Sequence, residues 1–475
     1  MKQIILCSAV FLMGVAVAEP VHAQARSERD RMAREIFKQL IEINTTDSVG
    51  NVSTASEAMA KRLRDAGFDA KDMNVAGPND RKKNLVVRYH GTGKKKPVLF
   101  IGHLDVVEAR REDWTRDPFQ FIEKDGYFYG RGTQDMKAGD AILVTNFIRL
   151  REEGFVPDRD LILALTADEE GGSSNGVDWL LRNHRDWIEA EYCINLDGGE
   201  FEMEKGKHML AGLQASEKVY ADFRLETHNP GGHSSVPGPD NAIYQLAAAL
   251  LKVQSYTFPT ELNEITRNYF LKMAGMTTGQ TAEDMRAVAK DPPDPSAVSR
   301  LSEVPYFNAL LRTTCVATML SGGHAPNALP GMARANVNCR IFPGEEPEEV
   351  RKTLVQVVND PGVDITPVLQ IGPDGKPVKM SSVPPSPLIP EVVRTEERVV
   401  DSLWPGLPVV PTMSTGASDG AYLRVAGIPT FGIACMFYDM DDIRAHGKDE
   451  RQGVEDFYDG VEVGYRLIRA LGGAN

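Results

Sequence analysis

The sequence predicts an α/β protein with a mostly parallel sheet, interrupted by an inserted α+β domain. Three observations predict it. Short apolar runs such as Val98-Leu99-Phe100-Ile101 and Leu161-Ile162-Leu163-Ala164-Leu165 alternate with stretches of helical periodicity, the order of a sheet with crossover helices. Acidic residues and histidines directly follow several of those runs, and ligands of open α/β sheets gather at the carboxyl ends of strands. Between about residues 216 and 385 the pattern changes to that of a smaller α+β unit, and it reverts afterwards.

Residues 27–43 carry Met32, Ile36, Leu40 and Ile43 at helical spacing, and 55–66 continue as a second helix. Residues 85–87 and 98–101 read as strands, and 120–130 as a hairpin turning at Asp125-Gly126. A helix over 138–150, the buried strand 161–165, a further helix and the strand 192–196 follow. In the inserted unit, 218–226, 313–319, 332–342 and 363–369 read as strands, and 241–253 and 347–358 as helices. An amphipathic helix over 261–274, with Leu262, Ile265, Tyr269 and Met273 on one face, belongs to a helical insertion of about 256–312. The strand 429–433 and a closing helix 454–471 return to the first style. The larger domain thus spans 26–215 and 386–475, and the inserted one 216–385. Ile371-Gly372-Pro373 and Pro384-Pro385-Ser386-Pro387 are both candidates for the return.

Met1-Lys2-Gln3, the apolar run 4–18 and Ala23-Gln24-Ala25 read as a signal peptide of residues 1–25. The run is too short for a membrane-spanning helix. The expectation is a periplasmic or secreted protein with no stable membrane anchor. A net charge of −14 weighs against a nucleic-acid partner. Cys193, Cys315, Cys339 and Cys435 sit in apolar settings and read as buried free thiols. Export permits disulfides, so Cys315 and Cys339 could pair if their strands are neighbours.

Five clusters carry the chemistry: His103 with Asp105, Asp135 after Gly130-Arg131-Gly132, Glu169-Glu170, Asp197, and His446 at the head of His446-Gly447-Lys448-Asp449-Glu450. Two histidines and several carboxylates are the ligand set for two divalent ions bridged by a carboxylate. A metal-bound imidazole usually donates its second N–H to a carboxylate, a place Asp105 could fill. Glycine permits a sharp turn, which would bring the Asp135 carboxylate up to two ions. Adjacent residues on extended backbone point in different directions, so one of Glu169 and Glu170 can bind metal while the other serves as base. Each cluster alone is compatible with an idle polar loop. That most of them fall at strand ends or turns of one expected sheet argues otherwise. In the inserted unit, His233 on the loop Pro230-Gly231-Gly232-His233-Ser234-Ser235 could donate to a developing oxyanion. Arg340 could hold a carboxylate by two parallel hydrogen bonds. Asn327 and the loop 414–420 are weaker candidates for substrate polar groups. His208, His228 and His324 receive no role.

These motifs closely resemble the M20 family of co-catalytic zinc peptidases, over essentially the whole chain from about Arg26. Gly231-Gly232-His233-Ser234-Ser235 with Pro237, together with the long helical insertion, looks most like the carboxypeptidase S branch. The resemblance implies a zinc-peptidase-like catalytic domain carrying an inserted lid domain of the dimerisation type. It makes His103 and Asp197 ligands of one zinc, Asp135 the bridge, and Glu170 and His446 ligands of the second. It makes Glu169 the general base and Asp105 the group that orients His103. His233 becomes the oxyanion donor, in many members supplied by a partner subunit. Asn327 and Arg340 match positions linked to the substrate's free carboxylate. Cobalt or manganese could replace zinc at such ligands. A homodimer through the lid is an arrangement the resemblance allows, although the insertion enlarges this lid.

The implied reaction is hydrolysis of the amide bond of dipeptides or small peptides with a free C-terminal carboxylate. The alternative is an aminoacylase-type hydrolase of N-acyl amino acids. A non-catalytic binding protein on the same fold would need a lost base or ligand, and every one is present.

Overall fold

The computed structural model describes residues 27–171, 173–369 and 381–473. The expected signal peptide and the candidate return at Ile371-Gly372-Pro373 lie outside the described residues.

The larger part is built on a ten-stranded mixed sheet. Its centre is parallel, with Leu161–Thr166, Val98–His103, Tyr192–Asn195 and Thr430–Gly432 side by side in that order. Every residue of these four strands is buried. Strands covered on both faces read as continuous apolar runs, which is why this centre is visible in the sequence. Phe100 and Leu163 join a core with the helices Glu28–Glu42, Lys137–Glu152 and Val454–Leu471 on one face. Leu99, Ile101 and Ile162 pack with Gly176–Asn183 and Gly420–Val425 on the other. A one-residue slip would exchange the two faces, so the packing also fixes the register. That register pairs His103 with Thr166 and Ile101 with Asn195. His103, the loop after Thr166 and Asp197 therefore emerge together at one end.

On one flank lie the antiparallel strands Asn84–Tyr89 and Met73–Ala76, and on the other Lys207–Glu217, Phe201–Glu204, Phe437–Asp439 and Val409–Ser414. Phe201–Glu204, Lys207–Glu217 and Val409–Ser414 were not anticipated from the sequence. Among the described residues no helix is long and apolar enough to cross a membrane.

The chain leaves the large sheet at Glu217 and returns at Ser386, whose N–H donates to the Ala215 carbonyl at 2.8 Å. Between them stands a four-stranded antiparallel sheet in the order Thr314–Gly322, Met332–Ile341, Val219–His228, Val363–Val368. Burial alternates along its two central strands, the mark of a sheet with one face on a core. The helices Ala242–Ser255 and Pro347–Val358 supply that core through Leu246, Ala249, Val350 and Leu354.

The helical insertion forms the helices Glu264–Met276, Gly279–Val288, Pro295–Leu301 and Pro305–Leu310. Its apolar residues Phe270, Met285, Val288 and Leu301 pack with Leu210, Val410 and Met413 of the large sheet and with Phe342. The insertion thus belongs in sequence to the smaller unit but buries its apolar face on the larger one. The strand Val409–Ser414 offers the surface that makes this possible.

Cys315 and Cys339 lie directly opposite on neighbouring strands and form a disulfide. The free-thiol reading therefore holds only for Cys193 and Cys435, both buried. Cross-linking residues separated by 24 positions removes chain entropy from the unfolded state worth about 3 kcal/mol. Cys315→Ser should lower stability by that order in urea titrations. An unchanged midpoint would mean the bond adds nothing.

Candidate metal centre

Two groups of side chains at the carboxyl end of the parallel strands bring their ligand atoms within 4.8 Å of one another: His103, Asp135 and Asp197, and Asp135, Glu170 and His446. Asp135 belongs to both. Its Oδ1 lies 3.1 Å from His103 Nε2 and its Oδ2 lies 2.9 Å from His446 Nε2. Asp197 Oδ2 is 3.9 Å from His103 Nε2, and Glu170 Oε2 is 3.0 Å from His446 Nε2. The structure thus brings together all five residues expected to be ligands.

Each ligand has a local reason for its place. His103 ends a central strand and is 2% exposed. Its Nδ1 donates to the Asp105 carbonyl at 3.1 Å, so Nε2 is the nitrogen turned to Asp135 and Asp197. Asp197 stands two residues past the strand Tyr192–Asn195, and its N–H donates to Asn195 Oδ1 at 3.0 Å. Asp135 ends a tight loop in which Gly132 has φ +91°, a conformation that favours glycine. The Asp135–Met136 peptide is cis. The buried Glu450 carboxylate accepts the N–H groups of Gly132 at 3.1 Å, Gln134 at 2.7 Å and Asp135 at 3.1 Å, and pairs with Arg131 Nη1 at 2.5 Å. Arg131 Nη2 reaches the His446 carbonyl at 3.3 Å.

The Glu169–Glu170 loop is held by three other carboxylates. Asp105 accepts from the backbone N–H of Glu169 at 3.2 Å and of Glu170 at 3.0 Å. The Asp105 carboxylate, expected to orient His103, thus also holds the backbone of the Glu169–Glu170 loop. That carboxylate is 3.8 Å from Nδ1, and the carbonyl of the same residue has taken the ring N–H. A single N–H is satisfied by one acceptor, and the two loop amides need the other. Asp168 adopts φ +66°, a left-handed backbone costing roughly 1 kcal/mol. Lys82 and the Ser174 N–H hold its buried carboxylate there. Asp419 accepts from Thr166 Oγ1 at 2.7 Å and Asn175 Nδ2 at 2.6 Å.

Burial opposes charge on His103, but its bond to Asp135 and the charges of Asp197 and Glu169 raise its pKa well above the usual value. Bonds to Asp135 and Glu170 push His446 up to about 10. Burial tends to raise Asp135, yet its bonds to both imidazoles leave it well below the ordinary carboxylate range. Glu169 and Asp197 are raised well above theirs, chiefly by burial. The site is a cluster of carboxylates that calls for positive charge. The raised pKa values of both imidazoles reflect the same demand. Glu170 Oε1 is buried without a hydrogen-bond partner. That orphan oxygen, the two imidazole nitrogens and the shared carboxylate fit a divalent metal, for which neutral imidazole and carboxylate are suitable donors.

The remaining expected residues lie elsewhere. His233 is exposed on a two-stranded ribbon, paired with Ala328. The Ser234 N–H donates to the Asn327 carbonyl at 3.1 Å, so His233 and Asn327 are neighbours. Arg340 lies on a central strand of the smaller sheet, its guanidinium 4.7 Å from the Tyr220 ring centre. Among the described residues no hydrogen bond or ion pair joins these three to the ligand groups. Sequence reasoning gave no role to Glu450, Arg131 or Lys82, and counted Asp419 only within the loop 414–420 as a weaker candidate for substrate polar groups, where it instead holds Thr166 and Asn175. Glu450 and Asp419 stood inside quoted motifs, but a buried carboxylate that binds backbone amides has no spacing signal.

Residues 99–470 match Peptidase family M20/M25/M40. The chain belongs to that family. It is a peptide-bond hydrolase of the M20 type, built on a metal-binding site. A probable carboxypeptidase S-like protein of Dictyostelium discoideum is 28% identical over 403 residues, covering 81% of this chain and 74% of that one. An N-fatty-acyl-amino acid synthase/hydrolase of Homo sapiens is 25% identical over 386 residues, covering 79% and 74%. The M20 family metallo-carboxypeptidase from Sulfolobus solfataricus superposes with a TM-score of 0.68 at 16% identity, over 93% of this chain and 99% of that one.

A proton must leave His446 before its Nε2 can bind metal. In the metal-free protein at pH 8, NMR should find His446 protonated, and adding zinc should release protons. Zinc binding with no proton release would contradict the electrostatics described above.

Proposed function

We propose that this chain is an exported two-zinc hydrolase that cleaves the amide bond of dipeptides or small peptides bearing a free C-terminal carboxylate. The observation that carries this reading is the single carboxylate, Asp135, shared by two ligand groups beside Glu169, whose pKa burial raises. His103, Asp135 and Asp197 would hold one ion, and Asp135, Glu170 and His446 the other. When bound, such a pair supplies Lewis acidity and a water of lowered pKa. Glu169 takes the proton of the attacking water and returns it to the leaving amine. Its loop, pinned by Asp105, keeps that carboxylate aimed while Glu170 turns to His446. His233 donates to the developing oxyanion, and Arg340 with Asn327 receives the terminal carboxylate. The apolar leader-like start and the disulfide support export.

His233 and Arg340 stand apart from the ligands, so they reach substrate by movement of the smaller unit or from a second copy. The edge strand Thr314–Gly322 supports the second copy. It exposes Val316 at 61%, Met319 at 72% and Leu320 at 71%, beside Tyr244 at 75%. Edge strands of this kind are templates for pairing with another chain. We propose a homodimer through this edge.

A second reading is hydrolysis of N-acyl amino acids, favoured by the N-fatty-acyl-amino acid synthase/hydrolase relatives.

Assayed on dipeptides, N-acyl amino acids and their C-terminal amides, the zinc-loaded protein should cleave only free-carboxylate substrates. Glu169→Ala should keep its metal and lose at least about 100-fold in kcat. Near-normal turnover in that variant would remove Glu169 as base. Leu320→Arg should shift the protein to monomer in sedimentation. A wild-type monomer would refute the edge dimer.

A further inference from the structure

Glu450 lies in the last of the five motif clusters, and the proposed reaction leaves it without a task. Its carboxylate is fully buried and receives three backbone N–H groups and a guanidinium. Those donors come from one stretch, Arg131 to Asp135. Glu450 itself follows His446 by four residues. The two stretches are joined at further points. Gly130 N–H donates to the Glu450 carbonyl at 3.1 Å, the Arg444 N–H to Gln134 Oε1 at 2.7 Å, and Arg131 to the His446 carbonyl at 3.3 Å. Beyond them, Arg451–Gly453 pairs with Tyr127–Tyr129.

The consequence differs between the two ligand groups. His103 and Asp197 stand at the ends of adjacent parallel strands and are placed by the sheet. Only Asp135 of that group depends on Glu450. In the other group both Asp135 and His446 sit on the loops that Glu450 joins, and Glu170 alone is held independently, by Asp105. His446 needs that support, because its backbone is left-handed with φ +62° and its ring is half exposed.

We infer that Glu450, paired with Arg131, is a positioning residue that builds the Asp135–Glu170–His446 metal subsite selectively. The inference rests on the two-metal reading above. Without the Glu450 charge the loop amides lose a charge-assisted acceptor and Arg131 is left buried without its counter-charge. Asp135 and His446 then cease to converge, while His103 and Asp197 stay in place. Partners that orient ligands typically carry 10–100-fold of metal affinity.

The test is zinc binding by equilibrium dialysis on the purified protein, Glu450→Gln and Arg131→Gln, with imidazole NMR at one and two equivalents of zinc. Arg131→Gln leaves the three amide bonds to Glu450 intact, so it decides the matter if Glu450→Gln fails to fold. The wild type should bind two ions tightly. Each variant should keep the ion at His103 and Asp197 with the smaller loss, that of Asp135 alone, and bind the second about 10–100-fold more weakly. At one equivalent the His103 signals should shift and those of His446 should not. Two ions bound by both variants as by wild type, or weakening of both sites alike, would overturn the selective role while leaving two-metal binding standing. A wild type that binds fewer than two ions would refute the two-metal reading and this inference with it.

Discussion

One carboxylate between two imidazoles is the constraint on which the site depends. Asp135 can face His103 and His446 at once only if a parallel sheet and two loops agree on a single point. The sheet supplies its part by burying both faces of its central strands, which leaves no freedom of register. The loops have no such core. They are held by buried carboxylates that accept backbone amides: Glu450 for the Asp135 loop, Asp105 for the Glu169–Glu170 loop. Buried polar groups of this kind stabilise only when their partners are complete, which makes these loops all-or-none features.

The cost of gathering five carboxylates and two histidines is visible in their protonation. Glu169 and Asp197 are pushed toward the neutral form by burial, while both imidazoles are pulled toward the charged form. Cations at the centre relieve both tendencies. The same electrostatics therefore favours a divalent ion at these residues.

Much of this was readable before the fold was known, and the reasons are specific. The central strands announce themselves because complete burial requires unbroken apolar runs. His103, Glu170 and Asp197 follow those runs, so strand ends pointed to them, whereas Asp135 and His446 stand on loops. The flanking strands Phe201–Glu204, Lys207–Glu217 and Val409–Ser414 mix glycine, proline and polar residues and carry no clean period. Missing Val409–Ser414 hid the surface on which the helical insertion packs. Asp105 has a second task with no sequence signal: besides standing 3.8 Å from the His103 ring, its carboxylate accepts amides of a loop more than sixty residues away. Disulfide pairing of Cys315 with Cys339 became evident only once their strands were neighbours.

The most direct test of the two-ion centre is anomalous diffraction from crystals grown with zinc. The account predicts two peaks about 3.5–4 Å apart, one on each side of the Asp135 carboxylate, with His103 and Asp197 at one and Glu170 and His446 at the other. A single peak, or two peaks that do not share Asp135, would contradict it.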